Sequence, residues 1–196
     1  MAKRLFDIIA SLAGLIVLSP VLIIISLLII IDSRGGIFYL QNRVGKNNTD
    51  FKLFKFRTMA SGSDKKGLLT VGAKDSRVTK VGYYLRKYKI DELPQLLNVL
   101  FGTMSLVGPR PEVRKYVSMY NAEQLRVLEV QPGITDYASI AYSNENEILG
   151  SVPNPEEVYI NEIMPAKLLL NLQYVKEKGL ITDLKLIFKT LAKIIK

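Results

Sequence analysis

Asp91 and Glu92 stand side by side within the stretch RKYKIDELPQLLNVLFGTMSLVGPRP, which runs from Arg86 to Pro111. Behind them comes an apolar pattern with helical spacing, Leu93, Leu96, Leu97 and Leu100. Pro94 suits that helix only in its first turn, where a missing N–H costs nothing. The spacing therefore puts both carboxylates at or near a helix N-terminus, where free N–H groups and the positive dipole end favour anions. Arg86 lies about a turn ahead of the pair, and Arg110 follows in a Gly-Pro-Arg-Pro turn. An ionised carboxylate, a second one free for a metal ion and nearby guanidinium groups are the parts of a phosphoryl-transfer site. A capping Asp beside a solvated Glu uses the same two residues, and an isolated pair more often serves that purpose.

Composition narrows the chemistry further. The 196 residues include no histidine and no cysteine. Disulfides, thiolate zinc sites and cysteine nucleophiles are excluded, and acid–base work falls to carboxylates, Lys or Tyr. Any metal is expected to be a hard ion on oxygen ligands. The formal charge of +9 points to anionic partners: phosphates, acidic lipid surfaces or nucleic acid. The cations are dispersed and no nucleic-acid-binding module is recognisable, so nucleic acid is not expected.

The elements that must position the pair begin with Ile8–Ile31, apolar except for Ser11, Ser19 and Ser26 and the punctuating Gly14 and Pro20. That run is long enough to cross a bilayer core of ~30 Å. It is too long for a signal peptide. A straight span would part Lys3 and Arg4 from the basic remainder of the chain, against the tendency of basic segments to share the cytoplasmic side. Alternatively, Ser19-Pro20 breaks the helix at its middle, the Ser19 hydroxyl meeting a freed carbonyl, and both ends return to one face. Physics favours the second arrangement only slightly.

Two strand-like runs follow, Ile37–Gln41 and Phe51–Met59, around a Gly45–Asn48 turn. In the second strand Phe54 and Phe56 share one face, while Lys55 and Arg57 share the other. The polar, glycine-rich stretch 60–75 reads as a loop. The spacing of Val78, Val81, Leu85 and Tyr88 predicts a short helix that carries Arg86 toward the pair. Helices are expected over Val113–Tyr120 and Ala122–Val130, then from Pro155 to Lys178 with a break near Pro165. The last segment, Asp183–Lys196, sets Lys185, Lys189, Lys193 and Lys196 beside Leu184, Ile187 and Leu191. This basic amphipathic helix suits an anionic membrane surface, and equally a core-packed helix with a solvated lysine face.

DELPQLLNVLFGTMSLVGPRP resembles the signature of bacterial sugar transferases, the monotopic polyprenyl-phosphate phosphoglycosyl transferases. KRLFDIIASLAGLIVLSP, IFYLQNRVGKNNTDFKLFKFRTM and QPGIT resemble further family segments in the family's order, up to about Thr135. The resemblance implies an α+β, mainly helical fold: a re-entrant helix-break-helix anchor over 1–34, bent at Ser19-Pro20, and a small cytoplasmic catalytic domain over 35–196 with a β-hairpin. It implies transfer of a sugar-1-phosphate from a UDP-sugar to polyprenyl phosphate with release of UMP, at the inner leaflet of the bacterial cytoplasmic membrane. The sugar would be an N-acetylated hexosamine, or glucose or galactose. Residue by residue, Asp91 would be the nucleophile and Glu92 the Mg²⁺ ligand, with Lys55, Arg57, Arg86 and Arg110 contacting phosphate or nucleotide. The chain departs from the family pattern at Asp136–Ile140 and the following SNENE, where the sugar would be read. A membrane-tethered scaffold and a phosphohydrolase with the same dyad are the competing readings, and the oligomeric state is open, a homo-oligomer included.

Overall fold

A computed structural model describes residues 1–60, 62 and 77–195. The chain is mainly helical. Helix α1 spans Ala2–Asp32, and strands β1 (Phe38–Val44) and β2 (Asp50–Phe56) form an antiparallel hairpin with Phe38 opposite Phe56. Helices α2 (Lys80–Lys87) and α3 (Gln95–Phe101) follow, then β3 (Ser105–Val107), α4 (Arg114–Val117), β4 (Gly133–Thr135), α5 (Tyr137–Ala141) and α6 (Glu145–Gly150). The chain closes with α7 (Pro155–Val158), α8 (Met164–Glu177) and α9 (Leu180–Ile195).

Pro20 does not end α1: the helix is continuous from Ala2 to Asp32 with the proline inside it. A proline leaves the carbonyl four residues back without its N–H partner. That carbonyl belongs to Ile16, and the Ser19 hydroxyl donates to it at 2.8 Å. The sequence expectation of a break is thus met only in its hydrogen-bond repair.

One face of α1 rests on the rest of the protein along its whole length. At its start Lys3 donates to the Val107 carbonyl at 3.0 Å and pairs with Asp183 at 2.5 Å. Arg4 donates to the Val99 and Leu100 carbonyls that close α3, at 2.5 and 2.8 Å, a cation set at a helix C-terminus as the dipole favours. The Leu106 amide donates to Asp7. Near the middle, Gly14 lies against Leu96. Toward the end, Ile25 and Ile29 join Phe56 and Leu85 in one buried cluster, and Asp32 accepts from the Val81 amide. The opposite face, including Leu5, Ile9, Ile16, Val17, Ile23, Ile24 and Ile31, is exposed. A bare stripe of this size is unusual for a water-soluble helix and suits contact with lipid. Among the described residues α1 is the one helix long and apolar enough to cross a membrane.

The hairpin forms, with a first strand that runs on to Val44 instead of stopping at Gln41 and a second that stops at Phe56 instead of reaching Met59, and Phe38 stacks on Phe56 with centroids 5.7 Å apart. The sequence did not reveal a second pairing, the parallel β3–β4, with Ser105 opposite Gly133 and Val107 opposite Thr135. Beyond it Gly108 and Gly133 meet back to back. A Cβ on Gly133 would stand 2.0 Å from the Gly108 nitrogen, and one on Gly108 2.3 Å from the Gln131 carbonyl oxygen. Only glycine permits that approach. The contact joins the GPRP turn to the QPGIT turn.

Elsewhere the core gathers Val113, Tyr116, Val127, Leu149, Tyr159, Ile163, Met164, Leu168 and Leu172. The helices expected at 113–130 shrink to one turn, Arg114–Val117, and a 3₁₀ segment, Gln124–Glu129. The break near Pro165 is a π-helical turn over Tyr159–Ile163, after which Pro165 sits in the first turn of α8, where its missing N–H is harmless. The predicted loop over 60–75 lies, apart from Ala60 and Gly62, outside the described residues.

Candidate active site

The carboxylate pair occupies a 3₁₀ turn of its own, Ile90–Glu92, between α2 and α3. Lys89, in the left-handed conformation at φ 55°, reverses the chain after α2. Pro94 follows with helical dihedrals just ahead of Gln95. Neither acid side chain accepts a capping hydrogen bond from α3, so the simple capping use does not apply.

The two neighbours live in opposite surroundings. Glu92 is clasped: Lys55 from β2 donates to its Oε1 at 2.9 Å, and the Arg110 guanidinium binds both oxygens, reaching Oε2 at 3.0 Å. Burial alone would raise the Glu92 pKa, but the charges and hydrogen bonds of Arg110 and Lys55 hold it well below the usual range. Glu92 in turn pushes the Arg110 pKa up. Asp91 is 8% exposed and receives no hydrogen bond among the described residues. Its pKa is raised, chiefly by burial; Lys55, Arg86 and Arg110 oppose the shift and Glu92 adds to it. A carboxylate that is desolvated yet unbonded keeps its lone pairs free for an electrophile.

Arg110 is fixed through its backbone as well. Its N–H donates to the buried Asp136 at 3.1 Å, and the other Asp136 oxygen accepts from the Ser139 amide at 2.6 Å as the N-cap of α5. The loop beyond is tied to the hairpin: Arg43 donates to Glu112 at 2.9 Å and to the Pro111 carbonyl at 3.1 Å, and Tyr159 also donates to Glu112. Asp136 appeared in the sequence only as a departure from a pattern. An Asp directly before a helix is the signal that marks it as a cap.

Of the predicted site residues, the structure brings Asp91, Glu92, Lys55 and Arg110 together and sets Arg86 close enough to favour the ionised form of Asp91. Arg57 is not in this group. It is buried at the end of α1, donating to the carbonyls of Ser33 at 2.7 Å, Ile29 at 3.3 Å and Arg34. Sequence reasoning passed over Lys89, which opens the turn and whose Nζ lies 3.4 Å from the Ser143 carbonyl oxygen. Its backbone conformation carries no sequence mark.

As for a metal, no group of three acidic side chains converges among the described residues. Three of the four lone-pair positions of Glu92 accept protein N–H groups, which leaves one on Oε2, next to the unbonded Asp91. That sparse donor set suits Mg²⁺, which usually takes one or two carboxylates and completes its shell with water and substrate phosphates.

The structure thus joins an apolar helix that fits membrane association to a buried acidic pair whose Glu92 is clasped by two cations. The comparisons are specific. The chain belongs to the bacterial sugar transferase family, whose model matches residues 1–196. It is 37% identical, over 98% of its length, to the UDP-N-acetylgalactosamine-undecaprenyl-phosphate N-acetylgalactosaminephosphotransferase of Aeromonas hydrophila, covering 43% of that protein. It is 37% identical over 97% of its length to the UDP-glucose:undecaprenyl-phosphate glucose-1-phosphate transferase of Klebsiella pneumoniae, covering 39% of it. The exopolysaccharide production protein ExoY of Rhizobium meliloti is 34% identical and is covered over 84% of its length. The chain thus spans less than half of the first two relatives and most of the third.

Proposed function

We propose that this protein is a phosphoglycosyl transferase, moving a sugar-1-phosphate from a UDP-sugar to a polyprenyl phosphate at the membrane. The observation that carries the reading is the buried, unbonded Asp91 next to a Glu92 held by Lys55 and Arg110. An Asp91 oxygen attacks the β-phosphorus of the donor. The bond from that phosphorus to the bridging oxygen breaks, and UMP leaves with the electron pair. A polyprenyl phosphate oxygen then attacks the same phosphorus of the aspartyl phospho-sugar, and the Asp91 carboxylate departs unchanged. Arg110, Lys55 and Arg86 orient and screen the phosphate oxygens, so that anions can approach one another. When bound at Glu92, Mg²⁺ supplies charge neutralisation for the diphosphate.

The relatives' names specify N-acetylgalactosamine and glucose donors. For this chain we infer an N-acetylated hexosamine or a hexose such as glucose or galactose. The contacts of α1 along its whole length support a placement in which α1 stays at one leaflet. A straight span would carry one end ~30 Å from the headgroups that the other end touches, away from the domain both ends now hold. In place of the re-entrant break expected from the sequence, we propose a cytoplasm-facing anchor in which the unbroken α1 stays at one leaflet.

The test is nucleotide release from a panel of UDP-sugars with undecaprenyl phosphate and Mg²⁺. UMP formed only with lipid and metal present is the expected result, and the responding sugar names the donor. UDP as product would sink the Asp91 mechanism. UMP formed at full rate without lipid would show a hydrolase instead.

A further inference from the structure

Each cation around the carboxylate pair except Lys89 has a strong partner or a stated task. Lys55 and Arg110 are engaged by Glu92, and Lys167 pairs with Glu145 at 2.6 Å. Lys193 donates to the Ile140 carbonyl at 2.5 Å, and Arg57 closes α1. Arg86 is one turn back on α2, acting on Asp91 through its charge. Lys89 has no ion pair among the described residues. Its contact with the Ser143 carbonyl, at 3.4 Å, is at the weak limit of a hydrogen bond.

The backbone holds Lys89 in this place at a cost. A residue with a side chain at φ 55°, ψ 21° occupies a region that disfavours it, and such conformations cluster at functional sites. The left-handed turn sends the ammonium toward the start of α6, while Lys55 approaches the pair from β2. Arg110, Glu92, Glu145 and Lys193 are all near enough to act on its charge, two cations against two anions. With those charges offsetting one another and only a long hydrogen bond to Ser143, the ammonium is free to turn to a further anion.

We propose that Lys89 is a substrate-binding residue whose ammonium takes an anionic phosphate oxygen of the substrate held at Asp91 and Glu92, giving up the Ser143 carbonyl to do so. The inference rests on the phosphoglycosyl transfer reading. The phosphate oxygen has two sources, the diphosphate of the donor and the phosphate of the lipid acceptor.

The test uses the full chain in detergent or nanodiscs, with Lys89→Met and Lys89→Arg beside the wild type, in the UMP-release assay with the responding UDP-sugar and undecaprenyl phosphate. Methionine is unbranched and adds no backbone strain to that of lysine. A charge-assisted hydrogen bond lost from a bound state corresponds to about tenfold or more in affinity. The expected result is a KM about tenfold higher in Lys89→Met, largely restored by Lys89→Arg. A rise in the KM for the UDP-sugar assigns the contact to the diphosphate; a rise confined to the lipid assigns it to the acceptor. Unchanged KM values for both overturn the proposal, as does a smaller active fraction with normal KM, which would show a structural role alone. Wild-type protein that releases UMP from no donor overturns the transfer reading itself, and this inference falls with it.

Discussion

The turn at Lys89–Glu92 and the end of α1 both bury charge, one drawing its cation from β2 and the other from the residue just past it, but they hold it by different means. At the turn Lys55 meets a carboxylate that also binds Arg110. At the end of α1, Arg57, two residues further along, meets main-chain carbonyls of Ile29, Ser33 and Arg34. Charges held by charges can change partners when another anion arrives, because Lys55 and Arg110 lose one carboxylate and gain phosphate oxygens. A guanidinium on main-chain carbonyls at a helix end has nothing equivalent to trade. The first arrangement suits chemistry and the second suits fixation, although the sequence expectation set the two residues on one strand face.

The largest effect should come from the turn. Asp91→Asn is expected to lower UMP release by about a thousandfold or more, since amide oxygens are poor nucleophiles toward phosphorus. The variant should keep or slightly raise the wild-type unfolding midpoint, because Asp91 makes no bond to lose and burial disfavours its charge. Labelled donor should also leave no covalent adduct on the protein, as intact mass measurement can read. A residual rate within tenfold of wild type would remove Asp91 from the mechanism.

Lys55→Met and Arg57→Met sharpen the contrast. Arg57→Met takes a buried donor from the Ser33 and Arg34 carbonyls and should cost about 3 kcal/mol, from hydrogen bonds to a charged group worth ~1.5–3 kcal/mol each. In a chain of this size that lowers Tm by roughly 6–12 °C. Lys55→Met should cost about 1 kcal/mol in thermal unfolding while lowering turnover about a hundredfold. If the two variants lose activity and stability in the same ratio, the distinction between exchangeable and fixed cations is wrong.

The pair also predicts a pH signature. The proposed mechanism requires Asp91 ionised, and burial raises its pKa, so the rate should climb with pH through a midpoint above the ordinary aspartate value of ~3.9. Lys55→Met removes the largest opposing charge and should move that midpoint higher. Stability runs the other way for Glu92, whose pKa is depressed in the folded protein. Its contribution is present above the ordinary glutamate pKa of ~4.3 and is lost as pH falls through the depressed value. Unfolding of Glu92→Gln should therefore lack the part of the acid destabilisation that wild type shows below about pH 4.

The sequence disclosed the hairpin, the acidic turn and the basic final helix because each carries a periodic or compositional mark. The alternation along β2 put Lys55 and Arg57 on one face. It could not show that α1 ends at one point of that face and the carboxylate turn at another. The pairing of Ser105–Val107 with Gly133–Thr135 left no trace, since three residues are too few to display a period of two. Gly108 and Gly133 were visible only as turn residues; what requires glycine is their mutual contact, separated by 25 positions in the chain. Lys89 was hidden for the opposite reason, because a left-handed lysine is set by its context and not by its own propensity.

The smallest effect concerns α9. Its inner face is Asp183, Leu186, Ile187 and Thr190, packed on β3, β4 and α5. Ile181, Leu184, Phe188 and Leu191 are exposed on the other side, and Lys185 and Lys189 flank that stripe. The core takes one side of the helix, so the apolar stripe needs a further partner, and the lysines beside it suit an anionic lipid surface better than bulk water. Each lysine near such a surface contributes ~1 kcal/mol. Lys185→Ala with Lys189→Ala should weaken cosedimentation with anionic vesicles about tenfold at low salt, and much less at high salt, where charges are screened. Turnover in detergent should not change, because neither lysine contacts the carboxylate turn. The contrast between charge that reacts and charge that fixes then gains a third kind, charge that only orients the protein on its surface. Equal binding of wild type and variant to anionic and neutral vesicles would remove α9 from that role and leave the exposed face of α1 as the membrane contact.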